Sequence, residues 1–352
     1  MVLKDKIDSI LDDYKGKFKI ATICSHSSLQ IFHGARHEKI KTIGIVLEKN
    51  KKFYESMPKA RPDEFIVVDK YSDLPVDQLV DKNAIIVPHG SFVEYIGKKL
   101  DTLEVPIFGN RASLAWERDR SKMFDWMKRS NLRIPKIIKP EEIDRPALVK
   151  FPGAKGGRGY VVVNSYDEYK SAVGNNDEGV LVQEFIIGVR VYIHYFFSPI
   201  SRSGYQTKHG KLELLSIDRR RESNADEIYR TLSVGAKGPK TRMSFTVVGN
   251  DPIIIRESLL PKFMEMGANV SDVSCDLFGG IFGPYCIETV IADDLDIFSF
   301  EISARIVAGT NLYPEGSPYS FYYYKKPMST GRRIALELKE AAKKKKLSEI
   351  VY

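Results

Sequence analysis

Over about its first 110 residues the chain alternates short apolar runs with helical patterns, a periodicity that few folds can bury. FKIATICSH (from Phe18), TIGIVLE (from Thr42), EFIVVDK (from Glu64) and NAIIVPHG (from Asn83) each read as a buried strand. SLQIFHGARHEK and the stretch Val76 to Asp81 read as helices between them, after an amphipathic opening helix over residues 3 to 14. Strands separated by helices pair in parallel, so this segment is expected to form a doubly wound, Rossmann-like α/β sheet. Such sheets bind ligands at the carboxyl ends of their strands.

The pattern changes after Ile107. IFGNRASLAWERDRSKMFDWMKRS reads as one strongly amphipathic helix, which the prolines of LRIPKIIKP stop. From Ala147, short β-rich runs flank a Gly-rich turn, as in LVKFPGAKGGRGYVVV and GVLVQEFIIG, with SYDEYKSAV as a helix between them. From Val189 onward antiparallel-type strands dominate (VYIHYFFS, KLELLSIDRR, SFTVVGN, YCIETVI, IFSFEISARI), with one helix around Arg256 to Ala268. Three units follow: an α/β domain over 1–118, a small α+β lobe over 119–187, and a larger α+β lobe over 188–352.

No apolar run spans a bilayer and no basic-plus-apolar leader begins at Met1, so a soluble, cytoplasmic protein is expected. The net charge of +8 comes from 54 basic residues interleaved with 46 acidic ones, which suits phosphorylated small molecules and gives no nucleic-acid stripe. The dense run Lys343 to Lys346 closes the helical pattern RRIALELKEAAKKKK, where cations meet the negative end of the helix. Three scattered cysteines exclude a disulfide framework or a paired-cysteine zinc site.

The sharpest chemical signal is Glu288 in YCIETV with Glu301 in SFEISARIVAGTN. Both carboxylates interrupt apolar strands joined by the acidic loop ADDLD, so a hairpin sets them side by side. Unpaired charges there are costly, and the two readings are a basic partner for each or a shared Mg²⁺ that also holds substrate phosphates. Arg305 is placed to neutralise a phosphoryl group in flight, beside the polar turn Gly309, Thr310 and Asn311. The glycines of Pro152 to Gly159, among them Gly156 and Gly157, form either a flexible hairpin turn or a phosphate-covering flap, with Lys150 just before them. Gln183 and Glu184 end a strand whose edge suits an adenine and a ribose. His26 and His89 follow two predicted strands, and Ser27, Ser28 and Ser91 beside them offer an anion cradle.

Taken together, the Gly-rich flap after a lysine, the QE strand edge and a Glu…Glu pair running into ExSxRxxxGTN resemble the ATP-grasp superfamily. More narrowly, ATICSHSSLQIFHGAR, VPHGSFVEY, FGNRASLAWERDRSKM, VVGNDPIIIRESLLP and EISARIVAGTNLYPEGSPY resemble the archaeal formate-dependent 5-formaminoimidazole-4-carboxamide ribonucleotide synthetases, over residues 18 to 330. The resemblance implies an ATP-grasp fold behind a Rossmann-like domain. It implies a carbon–nitrogen ligase of purine biosynthesis that phosphorylates formate and passes the formyl group to aminoimidazole carboxamide ribonucleotide, releasing ADP and phosphate. His26, Ser91 and Asn250 would contact the nucleotide acceptor. Lys150, Gly156, Gly157, Gln183, Glu184 and Glu222 would serve ATP, and Glu288 and Glu301 would hold Mg²⁺, with Mn²⁺ as the alternative ion. Partners would be these small molecules and further copies of the chain, with neither nucleic acid nor membrane.

One departure from the superfamily pattern stands out: two residues after the second glutamate, where an Asn is usual, this chain has Ser303. Asn311 or water is the expected substitute oxygen. Other acids or amines on the same scaffold, and a nucleotide-binding regulator without turnover, are the competing functional classes.

Overall fold

A computed structural model describes residues 1–151, 159–174, 177–223 and 246–352. Strands β1 (Lys19–Ile23), β2 (Thr42–Leu47), β3 (Glu64–Val68) and β4 (Ala84–Ile86) form a parallel sheet in the order β3-β2-β1-β4. Helix α1 (Lys4–Asp13) precedes the sheet, and α2 (Ser28–His37), α3 (Glu48–Glu55) and α4 (Val76–Asp81) lie between its strands in sequence. The alternation of side chains along each strand divides the apolar residues between two cores. Ile20, Ile85 and Val87 pack with Ile7, Leu11 and Ile31, whereas Ala21, Ile23, Ile43, Ile45 and Ile86 pack with Leu79 and Phe92.

The amphipathic stretch after Ile107 forms two helices where one was expected, α5 (Arg111–Arg118) and α6 (Arg120–Arg129). The break is Asp119, held extended at φ −98° and ψ 108°, whose carboxylate accepts from Lys122 N and so caps α6. Trp126 on α6 is fully buried and donates through Nε1 to Val270 O at 3.0 Å.

A small antiparallel sheet follows, β5 (Ala147–Lys150), β6 (Tyr160–Val163) and β7 (Leu181–Glu184) in the order β6-β5-β7, with α7 (Tyr166–Val173) between β6 and β7 in sequence. Gly156 and Gly157, in the expected flap, lie outside the described residues. The largest sheet contains β8 (Val189–Ser198), β9 (Tyr205–Gln206), β10 (Lys211–Glu222), β11 (Val247–Pro252), β12 (Gly283–Ile291) and β13 (Ile297–Ser303). Its order is β11-β10-β8-β12-β13, with β9 on β10. One face packs Ile193, Tyr195, Phe197 and Ile287 against α8 (Leu260–Phe278). Pro261, at the start of that helix, sets its N-terminus four residues later than Arg256.

The chain ends by returning to its beginning. Helix α9 (Thr330–Lys344), capped by Ser329, crosses α2 at a contact that leaves no room for a side chain: a Cβ on Gly34 would lie 2.1 Å from Arg332 N. Ile334, Ala335 and Leu338 thereby share a core with Ile7 and Ile31. The last residue pairs with the segment after β4, Tyr352 N donating to Ile107 O at 2.8 Å and Ile107 N to Tyr352 O at 3.0 Å. The lysine-rich helix end is therefore followed by buried Leu347, Ile350 and Val351.

Candidate active site

Because side chains alternate along a strand, register decides what shares a face. Glu288 on β12 pairs directly with Glu301 on β13 and with Tyr192 on β8. Tyr192 pairs with Asp218 on β10, and Arg220, two residues on, pairs with Asn250 on β11. The face opposite α8 thus gathers Asp218, Arg220, Asn250, Glu288 and Glu301. A bulge between Glu288 and Thr289 interrupts the ladder at the carboxylate pair, a place where bulges re-aim side chains.

The two glutamates are not equivalent. Glu288 is buried; its Oε1 accepts from Arg220 at 2.5 Å and from the Ser303 hydroxyl at 3.2 Å, while its enclosed Oε2 meets no donor among the described residues. Arg220 lies over the Tyr192 ring, 4.0 Å from its centre, a cation–π contact that helps hold the guanidinium in place. The Glu301 carboxyl is pushed up to about 7, first by burial and then by the negative charge of Glu288, with Arg220 and Arg305 opposing. Two adjacent carboxylates, one with an orphaned oxygen and one reluctant to ionise, are short of positive charge, and a hard divalent cation would supply it. The donor set therefore fits Mg²⁺. Asn311 does not complete it: its Oδ1 accepts from Gln30 Nε2 at 2.7 Å and its Nδ2 donates to His26 O at 2.9 Å. Ser303, at the position expected to hold an amide, instead donates to Glu288.

Cations ring this pair. Lys150, at the end of β5, is buried 5.8 Å from the Tyr160 ring centre; burial lowers its ammonium to about 8 against the opposing pull of Glu301. Arg190 pairs with Glu222. Arg305 donates to Glu117 at 2.9 Å, and Glu117 also accepts from Ala304 N at 2.8 Å. Burial holds the Glu117 carboxyl above its ordinary range despite Arg305. The Arg305 Nε is buried without a partner among the described residues. Gln183 and Glu184 stand on the edge of the small sheet, where Gln183 bridges to Ile137 and the Glu184 carboxylate accepts from Lys136 N at 3.4 Å.

On the parallel sheet, the loops after β1 and β4 come together. The His26 and His89 rings stack parallel at 5.3 Å, and Ser91 Oγ donates to Ser25 Oγ at 3.0 Å. A Cβ at position 90 would lie 2.7 Å from His26 Nε2, so a side chain there would displace the His26 ring. His89 is fully buried; its Nε2 donates to Ile23 O and its Nδ1 accepts from Ser91 N. Burial lowers it to about 4, so this imidazole is neutral and structural. His26 opens to solvent, yet the protein packed around it, then His89, Arg305 and Arg220, hold its imidazole well below the usual range. Its backbone φ of +52° is left-handed, strained for a residue other than glycine. Beside it opens a cavity of about 550 Å³ along the carboxyl ends of β1 to β3, with Lys49, Asn50 and Lys70 in its wall.

A bridge between His89 and Ile306 joins this loop pair to the segment carrying Arg305, and the charges of Arg305 and Arg220 reach His26, so the His26 loop lies beside the carboxylate pair. Asn250 enters from the far strand, its Nδ2 donating to Asp218 Oδ2 at 2.7 Å; the other Asp218 oxygen pairs with buried His194. Arg220, Glu117, Asp218 and Gln30 were not singled out from sequence. For Arg220 the available signal was its place in the polar end RRRE of an otherwise apolar strand.

Two family models match the chain, a protein of unknown function (DUF1246) over residues 20–138 and a domain of unknown function (DUF1297) over residues 168–352. The 5-formaminoimidazole-4-carboxamide-1-(β)-D-ribofuranosyl 5′-monophosphate synthetase of Methanococcoides burtonii is 50% identical, with both chains covered in full. The synthetase of the same name from Korarchaeum cryptofilum is 46% identical, again over both full lengths. Among solved structures, an IMP biosynthesis protein PurP from Thermococcus kodakaraensis superposes with a TM-score of 0.76 at 30% identity, over 95% of this chain and all of that one. An N5-carboxyaminoimidazole synthetase from Staphylococcus aureus complexed with ADP gives 0.62 at 15% identity, over 92% of this chain and 78% of that one, a likeness of fold alone. The expected ATP-grasp architecture is thereby borne out. Among the described residues no helix is long and apolar enough to cross a membrane.

Proposed function

The chain belongs to the 5-formaminoimidazole-4-carboxamide ribonucleotide synthetase family, and on that premise we propose that it is the ADP-forming ligase that formylates 5-aminoimidazole-4-carboxamide ribonucleotide with formate in purine biosynthesis. The observation that carries this reading is the Glu288–Glu301 pair, facing the same cleft as Arg305 and the His26 loop. Formate is a poor electrophile and an aromatic amine a weak nucleophile. A mixed anhydride solves both problems: a formate oxygen attacks the γ-phosphorus, the bond to ADP breaks, and the amine then displaces phosphate from the formyl carbon.

Within that scheme Lys150 neutralises nucleotide phosphate, while Gln183, Glu184 and Glu222 bind the adenosine end. Glu288 and Glu301 hold Mg²⁺, which when bound neutralises and aligns phosphate oxygens. Arg305, clamped by Glu117, stabilises charge on the phosphoryl group in transit. His26, Ser91 and Asn250 position the acceptor, and the cavity lined by Lys49 and Lys70 suits its 5′-phosphate. Neutral His26 accepts a hydrogen bond without competing for the phosphoryl group.

The test is ADP release from the purified protein. It should require formate and the aminoimidazole nucleotide together, and Glu301→Gln should abolish it while the protein stays folded and still binds ATP. ADP formation indifferent to either co-substrate would overturn the assignment.

A further inference from the structure

A second cluster of metal-binding side chains lies outside this cleft. His33 and His37 stand one helical turn apart on α2, so both rings project from one face. Their Nε2 atoms are 3.2 Å apart, and Glu315, in the turn after Asn311, places Oε1 3.6 Å from His33 Nε2. All three ligand atoms lie within 4.8 Å of one another. On a tetrahedral zinc ion with bonds of about 2.0–2.1 Å, neighbouring ligands lie roughly 3.3–3.4 Å apart. The two recorded spacings straddle that edge length. The helix and the turn have therefore already brought two of the three ligand pairs to about the separation a small tetrahedral ion needs, with the third pair within 4.8 Å.

The chemistry of the three groups points the same way. The buried side of His33 leaves Nδ1 enclosed without a partner among the described residues, so its usable nitrogen is Nε2, the one facing His37 and Glu315. A neutral imidazole is the form that binds metal. Two nitrogens and one carboxylate select a borderline ion such as Zn²⁺ over Mg²⁺, which prefers oxygen alone. We propose that His33, His37 and Glu315 form a Zn²⁺ site, completed by water, that ties α2 to the turn after Asn311. Gln30 of that helix and Asn311 of that segment already meet, so the ion would reinforce an existing joint beside His26.

His37 is exposed, so His37→Ala removes a ligand without opening a core. Chelator-treated wild-type and His37→Ala proteins, both held in Mg²⁺ and ADP, are titrated with Zn²⁺ by calorimetry and with Co²⁺ by visible absorption. Wild type should bind one equivalent of Zn²⁺ more than the variant and show a tetrahedral Co²⁺ spectrum that the variant lacks. Glu315→Gln should weaken that equivalent and shift the spectrum. Equal Zn²⁺ stoichiometry in wild type and His37→Ala, or the same Co²⁺ spectrum in both, overturns the site. Neither readout depends on catalysis, so this result and the ligase assignment stand or fall separately.

Discussion

Replacing Gln30 by Met should uncouple the acceptor loop from the phosphoryl-transfer segment. The Gln30 side chain is 4% exposed and makes three hydrogen bonds: Nε2 donates to Thr310 Oγ1 at 2.6 Å and to Asn311 Oδ1 at 2.7 Å, and Oε1 accepts from Gly331 N at 3.2 Å. Methionine fills a similar volume, so the cavity contribution is small. Thr310 keeps its bond to Val307 O, and Asn311 keeps its bond to His26 O. What is stranded is the Gly331 amide, at a helix crossing so close that a Cβ there would lie 2.2 Å from Gln30 O. One stranded buried donor costs about 1–3 kcal/mol, and two lost bonds add about 0.5–1.5 kcal/mol each. The expected loss is about 2–6 kcal/mol in urea unfolding. With its Oδ1 released from Gln30, Asn311 is anchored only through its bond to His26 O and should fix the left-handed backbone there less firmly, raising KM for the aminoimidazole nucleotide while KM for ATP holds. A loss under about 1 kcal/mol, or equal rises in both KM values, would refute the coupling.

Asp218→Asn should raise acceptor KM about tenfold, the effect of roughly one hydrogen bond, because an acceptor-only carboxylate is what forces Asn250 to turn its amide nitrogen inward. Steady-state kinetics with ATP held saturating reads it, and an unchanged acceptor KM would remove Asn250 from the acceptor site. Lys150 supplies a pH test. A lysine lowered to about 8 is charged below that pH and loses its charge above it, so KM for ATP should be flat at neutral pH and climb past about 8. Lys150→Arg should remove the inflection, and a wild-type profile flat to pH 10 would show that this ammonium does not face phosphate.

What could be read from the sequence follows from the range over which each signal acts. The parallel sheet was legible because burial on both faces writes a local pattern, as in Ile43 to Val46. The carboxylate pair was legible for the opposite reason: a charge inside an apolar strand breaks its own local rule, and the short loop between β12 and β13 fixes its partner as Glu301. Asp119 misled because a helix cap and a surface residue on an amphipathic helix look alike until the backbone turns. The remaining site residues leave no local trace of the partners they meet. Arg220 is 68 residues from Glu288, Glu117 is 187 from Ala304, and Gln30 is 280 from Thr310. Each is an ordinary polar residue in its own element, and only the tertiary fold makes it a partner. Asn311 shows the cost of reasoning without that information. Its oxygen was the nearest by sequence to stand in for the amide that Ser303 lacks, yet the fold uses it to hold His26. On the proposed reading the metal end of the cleft would therefore rest on the two carboxylates and water, and the polar turn that follows them in sequence would serve the acceptor.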